Sequence, residues 1–289
     1  MKVLVTGVAG FSGNVVARAV AAVGHEVTGL ARKWQGDDPR YMRLVQASVS
    51  EAWLIEDRFD AVVHVAATSP DKAVTGDSIV RDNAFATAHL IDFCNRWKTK
   101  KFIFFSSLSV HGIIERVTVR EDTPVRDPGL YGMTKSIGEE LLRQSDMPSV
   151  ALRLPGIIGP GARRNWLSQT AEKIINGLDV HAFHLDAPFN NAVHVNDIAK
   201  FVVSLLDREL TGHEPLVVSA RGCTTVRLAL ERLAAGLGKK IEIVACEPEK
   251  SSFVLSPWKA INYFGFNPMT IEKTIDQYAL DLLHHKETV

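Results

Sequence analysis

The amino-terminal segment of this chain combines a short apolar run with three closely spaced glycines. Residues 2–6 (KVLVT) are rich in β-branched side chains and predict a buried strand, whereas residues 14–23 have the apolar spacing of a helix. Glycines at such a strand-to-helix turn let the backbone approach a pyrophosphate, which the N–H groups at the helix start then bind. The segment therefore predicts a dinucleotide site. Its predicted contacts are Gly7, Gly10, Phe11, Ser12 and Gly13.

The overall composition is that of a globular chain without a strongly charged surface. Its 289 residues include 33 basic and 33 acidic side chains, and 46% of them are hydrophobic. Because the charges balance and form no run of one sign, we expect small-molecule partners and neither nucleic acid nor membrane. The three cysteines have no metal-site spacing, and no segment has the length of a membrane span or the pattern of a signal peptide. We therefore expect a cytoplasmic protein without a metal centre.

Strand and helix patterns alternate through the first half of the chain. Continuous apolar runs predict the buried strands of a parallel sheet, and longer segments with helical spacing predict the crossovers between them. The fold class predicted from this alternation is α/β, with a doubly wound parallel sheet. The strands predicted after the first are 26–30, 43–49, 60–67, 101–106 and 153–158, and the main helices are 79–97 and 131–144.

Beyond Gly161 the alternation loosens, as expected for a smaller part that binds substrate. We expect a dinucleotide-binding domain at residues 1–160 and a mainly substrate-binding part at 161–289. Within the second part, residues of about 192–207 are expected to return to the core of the first.

The choice of cofactor is predicted from the end of the second strand. About twenty residues after the glycines, a chain that binds NAD places an acid that accepts from the ribose 2′-hydroxyl. Arg32 and Lys33 stand at that place, and no acid is present. Because a guanidinium stacks on adenine and forks onto phosphate oxygens, the pair predicts a 2′-phosphate and hence NADP, with NAD less favoured. A solvated loop is the alternative interpretation of these two cations.

A polar segment follows the fifth predicted strand, where ligands of open α/β sheets bind. Ser107 and Ser109 supply hydroxyls there, and Tyr131 and Lys135 stand at the start of the next helix. Four residues apart on a helix, the phenol and the ammonium face the same side. A nearby ammonium favours phenolate and so lowers the pKa of a tyrosine from its usual value near 10, which makes an acid/base pair. The same spacing is common on helix surfaces, but its place after the serines favours catalysis.

Six motifs extend over nearly the whole chain: TGVAGFSG at 6–13, DAVVHVAA at 60–67, FSSLSVHG at 105–112, YGMTK at 131–135, RLPGIIGPG at 153–161 and AVHVNDIA at 192–199. Together they resemble the extended short-chain dehydrogenase/reductases, also called the NAD-dependent epimerase/dehydratase family, which have a Rossmann fold. The resemblance implies that Ser107 hydrogen-bonds the substrate oxygen and that Tyr131 is the general acid/base. Lys135 would hold the nicotinamide ribose and lower the tyrosine pKa.

Further cofactor contacts are expected around the same sheet edge. Small residues after the fourth strand leave room for ribose and nicotinamide, and by resemblance the end of the sixth strand covers the nicotinamide. The family usually has an acid near the adenine where this chain has Ser48. The cofactor contacts predicted beyond the glycine segment are Arg32, Lys33, Ser48, Val49, Ala66, Ala67, Tyr131, Lys135, Pro155, Ile157 and Ile158.

Departures from the family pattern bear on the substrate. Leu108 and Ser109 replace the acid pair of the dehydratases, which argues against elimination of water. Gly156 and Asn190 replace an Asn and an Arg that grip a nucleotide diphosphate in many relatives, which weakens the case for a nucleotide sugar. The substrate contacts predicted are Ser107, Ser109, His111, Tyr131, Arg163, Arg164, Asn165 and Asn190, with packing as the alternative for His111 and a solvated loop for the arginines.

The sequence thus predicts an NADP-dependent oxidoreductase that reduces a keto group, or oxidises an alcohol, on a sugar or sugar-nucleotide substrate. An epimerase that retains its cofactor is the first alternative, and a non-catalytic NADP sensor is the second. The intact Ser107, Tyr131 and Lys135 argue against a sensor, which needs no proton donor. By analogy with the family we also expect a homodimer, formed through helices at about 80–97 and 131–144.

Overall fold

The computed structural model describes residues 1–35, 37, 39–248 and 251–287 of the chain. Its strands, numbered along the chain, are β1 (Lys2–Thr6), β2 (Glu26–Ala31), β3 (Arg43–Gln46), β4 (Ala61–His64), β5 (Lys101–Ser107), β6 (Thr118–Val119), β7 (Ser149–Leu154), β8 (Gly156–Ile158), β9 (Val180–Ala182), β10 (Pro188–Phe189), β11 (Ala192–His194), β12 (His213–Val217), β13 (Thr224–Thr225), β14 (Ile243–Ala245) and β15 (Val254–Leu255).

The helices are α1 (Phe11–Ala22), α2 (Gly76–Ile79), α3 (Ala86–Trp97), α4 (Gly129–Gln144), α5 (Trp166–Ile175), α6 (Val195–Asp207), α7 (Val226–Gly236), α8 (Trp258–Phe264) and α9 (Ile271–Glu287). Short 3₁₀ helices span Val49–Leu54 and Leu108–His111, and a π-helical turn, Val80–Phe85, joins α2 to α3. Among the described residues, none of these helices is both long enough and apolar enough to cross a membrane.

The central element is a seven-stranded sheet with the order β12-β7-β5-β4-β1-β2-β3. Strand β1 pairs in parallel with β2 on one side and with β4 on the other, so that Val3 lies opposite both Val27 and Ala61. Its apolar residues are fully buried because helices cover both faces of such a sheet. The strand order reverses between β1 and β4, which is where open α/β sheets bind ligands. The predicted doubly wound α/β fold is confirmed.

The joint between β1 and α1 depends on glycine at two positions. Gly7 has φ of +74°, and its N–H donates to the carbonyl of Leu30 at 2.8 Å, which ties the turn to the end of β2. A Cβ on Gly13 would lie 2.1 Å from the carbonyl oxygen of Gly7. Only a hydrogen side chain therefore lets the first turn of α1 approach the end of β1 this closely.

The predicted sixth strand, 153–158, is wrong as a single element. The chain forms β7, which belongs to the seven-stranded sheet, and then β8, which pairs in parallel with β11 instead. Pro155 separates the two strands. Because proline has no N–H to donate to a sheet ladder, it marks the point where the chain leaves one sheet for the other.

The chain divides into two compact units, each made of separate segments. Unit 1 consists of 1–113, 124–153 and 199–216, and unit 2 consists of 114–123, 154–198 and 217–289. The boundary predicted from the sequence was residue 160, with a segment of about 192–207 returning to the core of the first part. In unit 1, apolar residues such as Leu4, Val62 and Phe102 form a core on the sheet. Unit 2 has its own core, in which helices α5, α7 and α9 pack around residues such as Leu230 and Tyr278.

Candidate active site

Helix α4 holds the predicted acid/base pair on one face. Lys135 is almost completely buried, at 2% exposure, and its Nζ donates to the carbonyl of Phe105 at 2.8 Å. The same Nζ lies 5.9 Å from the centre of the Tyr131 ring and 4.8 Å from that of Phe104. An ammonium beside two aromatic faces is favourable when water is excluded. The lysine therefore has a fixed place between the tyrosine and the end of β5.

Close packing fixes the start of α4 against the residues that follow β5. A Cβ on Gly132 would lie 2.1 Å from the carbonyl oxygen of Ser109, so this glycine permits contact between the helix and that backbone. Ser107 ends β5 and caps the next 3₁₀ helix, because its Oγ accepts from the N–H of Ser109 at 3.1 Å. The structure thus brings Ser107 and Ser109 to the strand end on which the helix of Tyr131 and Lys135 is packed.

Burial controls the protonation of the two groups. It lowers the pKa of Lys135 to about 7, although the carboxylate of Glu139 acts to raise it. It also raises the pKa of Tyr131, with a hydrogen bond to the Ser69 side chain acting in the opposite sense. The predicted lowering of the tyrosine pKa is therefore wrong for this structure, because desolvation of the phenolate outweighs the hydrogen bond with Ser69. The phenol keeps its proton at neutral pH.

A buried ion pair lies one helical turn beyond Lys135. Glu139 accepts from the Nη2 of Arg153 at 2.8 Å, and Ser106 also donates to this carboxylate. His111, which the sequence offered as a substrate contact or a packing residue, is fully buried, with its Nε2 3.3 Å from Arg153 Nη1. The structure places His111 inside unit 1, in the surroundings of this ion pair. Glu139 was not among the predicted site residues, although its spacing of four from Lys135 places it on the same helix face.

His64, at the end of β4, joins three elements of unit 1. Its Nδ1 lies 2.7 Å from Thr6 Oγ1 on β1, and its Nε2 lies 2.9 Å from Thr87 Oγ1 on α3. The ring stacks on Phe104 with 5.5 Å between centroids. Burial and the nearby charge of Lys135 lower the pKa of His64 to about 3, so the imidazole is neutral at physiological pH. It fixes the spacing of the strand ends around the glycine turn.

The glycine turn fits a dinucleotide pyrophosphate. Gly10 is the N-cap residue of α1 and has no side chain with which to cap it, so the first N–H groups of the helix, from Phe11, Ser12 and Gly13, remain available to an anion. A Cβ on Gly7 would lie 2.8 Å from the backbone of Ala66, so the turn lies directly against the residues after β4. Ala67 follows at the same edge. The geometry leaves a backbone surface without bulky side chains, as a pyrophosphate requires.

The predicted adenine-side residues lie after β2 and β3. Ser48 is the N-cap residue of the 3₁₀ helix that Val49 begins, and its N–H donates to Glu51 Oε2 at 2.8 Å. Arg32 directly follows β2, and its Nη1 donates to Asp82 Oδ2 at 2.8 Å. Lys33 comes next and is exposed. The structure thus places an acid, Asp82, beside the arginine that was predicted to hold a 2′-phosphate.

In unit 2, the predicted amide side chains serve the backbone of the unit itself. Asn165 caps α5 by accepting from the N–H of Ser168 at 2.9 Å, and it donates to the carbonyl of Ile157 at 2.7 Å. Asn190 is buried and binds both the N–H and the carbonyl of Leu255 at 2.8 Å. The remaining predicted residues of this unit are Pro155, Ile157 and Ile158 at β8, and Arg163 and Arg164, which are exposed.

A cavity of about 150 Å³ lies beside β8 in unit 2. Its lining is formed by Gly156, Asn165, Trp166, Leu167, Asn191 and Ala192. The Oδ1 of Asn191 is buried and has no hydrogen-bond partner among the described residues. A buried acceptor without a donor is costly to maintain. A Cβ on Gly156 would point at Asn165, 3.1 Å away, so the glycine leaves this wall open.

The whole set of elements matches one known protein family over residues 3–219, described as the NAD dependent epimerase/dehydratase family. The chain belongs to this family. Since the match includes the glycine turn, the end of β5 and the Tyr131–Lys135 segment, the resemblance found in the motifs is confirmed.

Two curated relatives share a quarter or more of their aligned residues with this chain. It is 28% identical over 229 residues to a UDP-glucose 4-epimerase of Azospirillum brasilense, covering 68% of this chain and 66% of that protein. It is 25% identical over 297 residues to a dTDP-glucose 4,6-dehydratase of Streptomyces niveus, covering 93% and 88%. The chain thus spans just under two thirds of the epimerase's own length.

Among solved structures, the enzyme WbmH of Bordetella bronchiseptica, crystallised in complex with NAD+, has a similar fold. The TM-score is 0.85 at 21% sequence identity, and the alignment covers 98% of each chain. At this identity the likeness establishes the fold and not a common substrate.

Proposed function

We propose that this chain transfers a hydride between a nicotinamide dinucleotide and a carbon of a sugar-type substrate that alternates between alcohol and ketone. The observation that carries the proposal is the placement of Lys135, buried and fixed between Tyr131 and the end of β5. A buried ammonium 5.9 Å from the centre of a tyrosine ring is expensive to maintain, and such perturbed groups cluster at catalytic sites.

Each of the three side chains has a distinct role. Tyr131 donates its proton to the substrate oxygen during reduction and accepts it during oxidation. The raised pKa of Tyr131 suits donation, because the phenol is protonated at neutral pH. Ser107 donates a hydrogen bond to the same oxygen and orients it. Lys135 holds the ribose of the cofactor and stabilises the phenolate that remains after proton donation.

The bound dinucleotide would supply the hydride chemistry, and the chain holds it through backbone groups. Gly7, Gly10 and Gly13 with the start of α1 bind the pyrophosphate, and Ala66 and Ala67 leave space for the ribose and nicotinamide. Within unit 1, Ser48 and Val49 contribute to the adenine side.

The central test is removal of the phenolic hydroxyl. Tyr131→Phe is expected to abolish turnover, by about a hundredfold or more, because it deletes the proton donor and leaves the ring in place. Dinucleotide binding, measured by quenching of protein fluorescence, is expected to persist. Tyr263→Phe is the matched control, since Tyr263 is exposed on α8 and contacts Trp258 only through its ring. Full activity of Tyr131→Phe would refute the assignment.

An epimerase is the second candidate, and the similarity to UDP-glucose 4-epimerase supports it. An epimerase performs oxidation and reduction on one bound substrate and retains its cofactor, whereas a reductase exchanges it. Purified protein is therefore denatured and its supernatant analysed for released dinucleotide, with UDP-glucose as the first substrate tested. Stoichiometric release favours the epimerase, and a dinucleotide-free preparation that turns over added cofactor favours the reductase.

Within unit 2, we propose that the cavity beside β8 binds a polar group of a ligand. Asn191 and Gly156 both line this cavity, and the absence of a Cβ on Gly156 leaves space beside Asn165. Arg163 and Arg164 are exposed, and they are the cations that we propose to contact a phosphate if the substrate is a nucleotide sugar. The amide nitrogen and the amide oxygen of Asn190 are both hydrogen-bonded to the backbone of Leu255. We therefore expect Asn190 to support this region without contacting substrate.

We further propose that the chain forms a homodimer through α4. Leu130, Met133 and Ile137 recur at helical spacing on this helix and are 38%, 46% and 46% exposed. Phe85, on the π-helical turn of the same unit, is 61% exposed. Apolar side chains arranged in this way form the kind of stripe that helices bury against a partner.

A further inference from the structure

The end of β2 carries an ion pair that joins two distant parts of unit 1. Arg32 Nη1 donates to Asp82 Oδ2 at 2.8 Å across 50 residues of sequence. Asp82 lies on the π-helical turn between α2 and α3. The carboxylate of Asp82 thus lies beside Arg32, the residue that directly follows β2. No acidic residue stands at the end of β2 itself.

Asp82 is held in place independently of Arg32. Thr68 Oγ1 donates to Asp82 Oδ2 at 2.8 Å, and Arg81 Nε lies 3.3 Å from Oδ1. The adjacent Asn83 binds both the N–H and the carbonyl of Thr68, at 2.7 and 2.9 Å, and so fixes the segment after β4 against the same turn. The side chain of Asp82 is 18% exposed, whereas that of Arg32 is 63% exposed. The acid is the fixed member of the pair.

The carboxylate is charged at neutral pH. Burial alone would raise the pKa of Asp82, but the hydrogen bond from Thr68 and the guanidinium groups of Arg32 and Arg81 outweigh it and lower the pKa. A fixed negative charge therefore faces the place where doubly wound folds read the 2′ position of the adenosine ribose.

We propose that Asp82 selects NAD(H) over NADP(H), acting through its fixed carboxylate and its hold on Arg32. A 2′-hydroxyl can donate to this carboxylate or accept from the guanidinium without disturbing the pair. A 2′-phosphate carries about two negative charges. It can pair with Arg32 only if the guanidinium leaves Asp82, whose carboxylate then repels the phosphate. This reverses the NADP preference predicted from Arg32 and Lys33. The inference rests on the proposed dinucleotide-dependent function.

The test is the ratio of the dissociation constants of NADPH and NADH, measured on the purified chain by quenching of protein fluorescence. The wild-type ratio is expected to exceed one. Asp82→Asn keeps an oxygen for Thr68, removes the charge and releases Arg32, so the ratio is expected to fall about tenfold. Asp77→Asn is the matched control, since Asp77 is exposed on α2 and pairs with Arg81 without contacting Arg32. Its ratio is expected to stay within about twofold of wild type.

A second variant tests whether Arg32 is responsible for the increased NADPH affinity of Asp82→Asn. Arg32→Ala in the Asp82→Asn background is expected to remove the acquired NADPH affinity and leave NADH binding nearly as it was. A wild-type preference for NADPH, or a folded Asp82→Asn variant with an unchanged ratio, would overturn the role of Asp82 while leaving the proposed reaction intact. A wild-type chain that binds neither dinucleotide would instead overturn the proposed function, and the inference with it.

Discussion

At the scale of single residues, the unusual feature is a lysine that is buried next to a phenol and one helical turn from a carboxylate. Desolvation lowers the pKa of Lys135 to about 7, and Glu139 opposes that effect. Of the other groups around it, His64 is neutral, because its pKa is about 3, and Tyr131 is a protonated phenol. Glu139 is thus the neighbour that raises the pKa of Lys135 against the effect of desolvation.

Glu139→Gln is expected to shift the pH dependence of activity. The ammonium of Lys135 is present below its pKa and is lost as the pH rises through about 7 in the wild type. Without the carboxylate this loss occurs at lower pH, so the fall of kcat/KM with rising pH should begin earlier. Unfolding in urea should also show a loss of about 3 kcal/mol, because Arg153 keeps a buried charge without its partner.

Glu140→Gln is the control for this change. Glu140 is the next residue on the helix and pairs with Arg143 at the surface, 2.6 Å away. The variant removes the same charge without touching the buried pair and should leave the pH profile in place. A folded Glu139→Gln protein whose profile superimposes on that of wild type would show that Glu139 does not control Lys135.

The sequence was informative for those site residues that interact over short range. Tyr131 and Lys135 are four apart on one helix, so helical geometry alone places them together. The sense of the tyrosine pKa shift was not predictable, because it depends on burial by residues from several elements. The pairing of Arg32 with Asp82 was equally hidden, since no local pattern links two residues 50 apart. The orphan oxygen of Asn191 also depends on tertiary contacts.

At the scale of elements, the β1–α1 joint is the part most sensitive to added volume. Gly13→Ala is expected to abolish dinucleotide binding and to lower the thermal unfolding midpoint, because its Cβ would lie 2.1 Å from the carbonyl oxygen of Gly7. Differential scanning fluorimetry with and without dinucleotide measures both effects.

Gly76→Ala provides the comparison for that substitution. Gly76 begins α2, and a Cβ there would meet only the flexible end of Leu130, at 3.2 Å. Its dinucleotide-induced thermal shift should match that of wild type. Retention of this shift in Gly13→Ala would mean that the turn does not bind the pyrophosphate.

Element boundaries were predictable where a local signal marks them. The strand-turn-helix joint at the start of the chain follows from β-branched residues and glycines. Pro155 was a visible signal that 153–158 is not one strand, and the prediction did not use it. The π-helical turn inside the helix predicted at 79–97 had no local signal, because an extra residue in one turn leaves the apolar spacing on either side nearly intact.

At the scale of the whole molecule, the exposed apolar residues of α4 predict the state of association. Light scattering during size-exclusion chromatography should give a mass of about twice 31.8 kDa. Ile137→Glu should give the monomer mass, because it places a charge within the stripe formed with Leu130 and Met133. Leu280→Glu, at an equally exposed site on α9, should remain dimeric. A monomeric wild type, or an unaltered mass for Ile137→Glu, would contradict an α4 interface.

The outermost strand on one side of the central sheet is β12, which lies far along the chain from the strands it joins. Within unit 1, the Nζ of Lys101 on β5 also reaches the carbonyl of Arg208, 2.7 Å away. During synthesis the first five strands leave the ribosome long before β12 and Arg208 have been made. One edge of the nascent sheet therefore remains unpaired until they are made. A chain terminated near residue 160 would expose that unpaired edge to other chains.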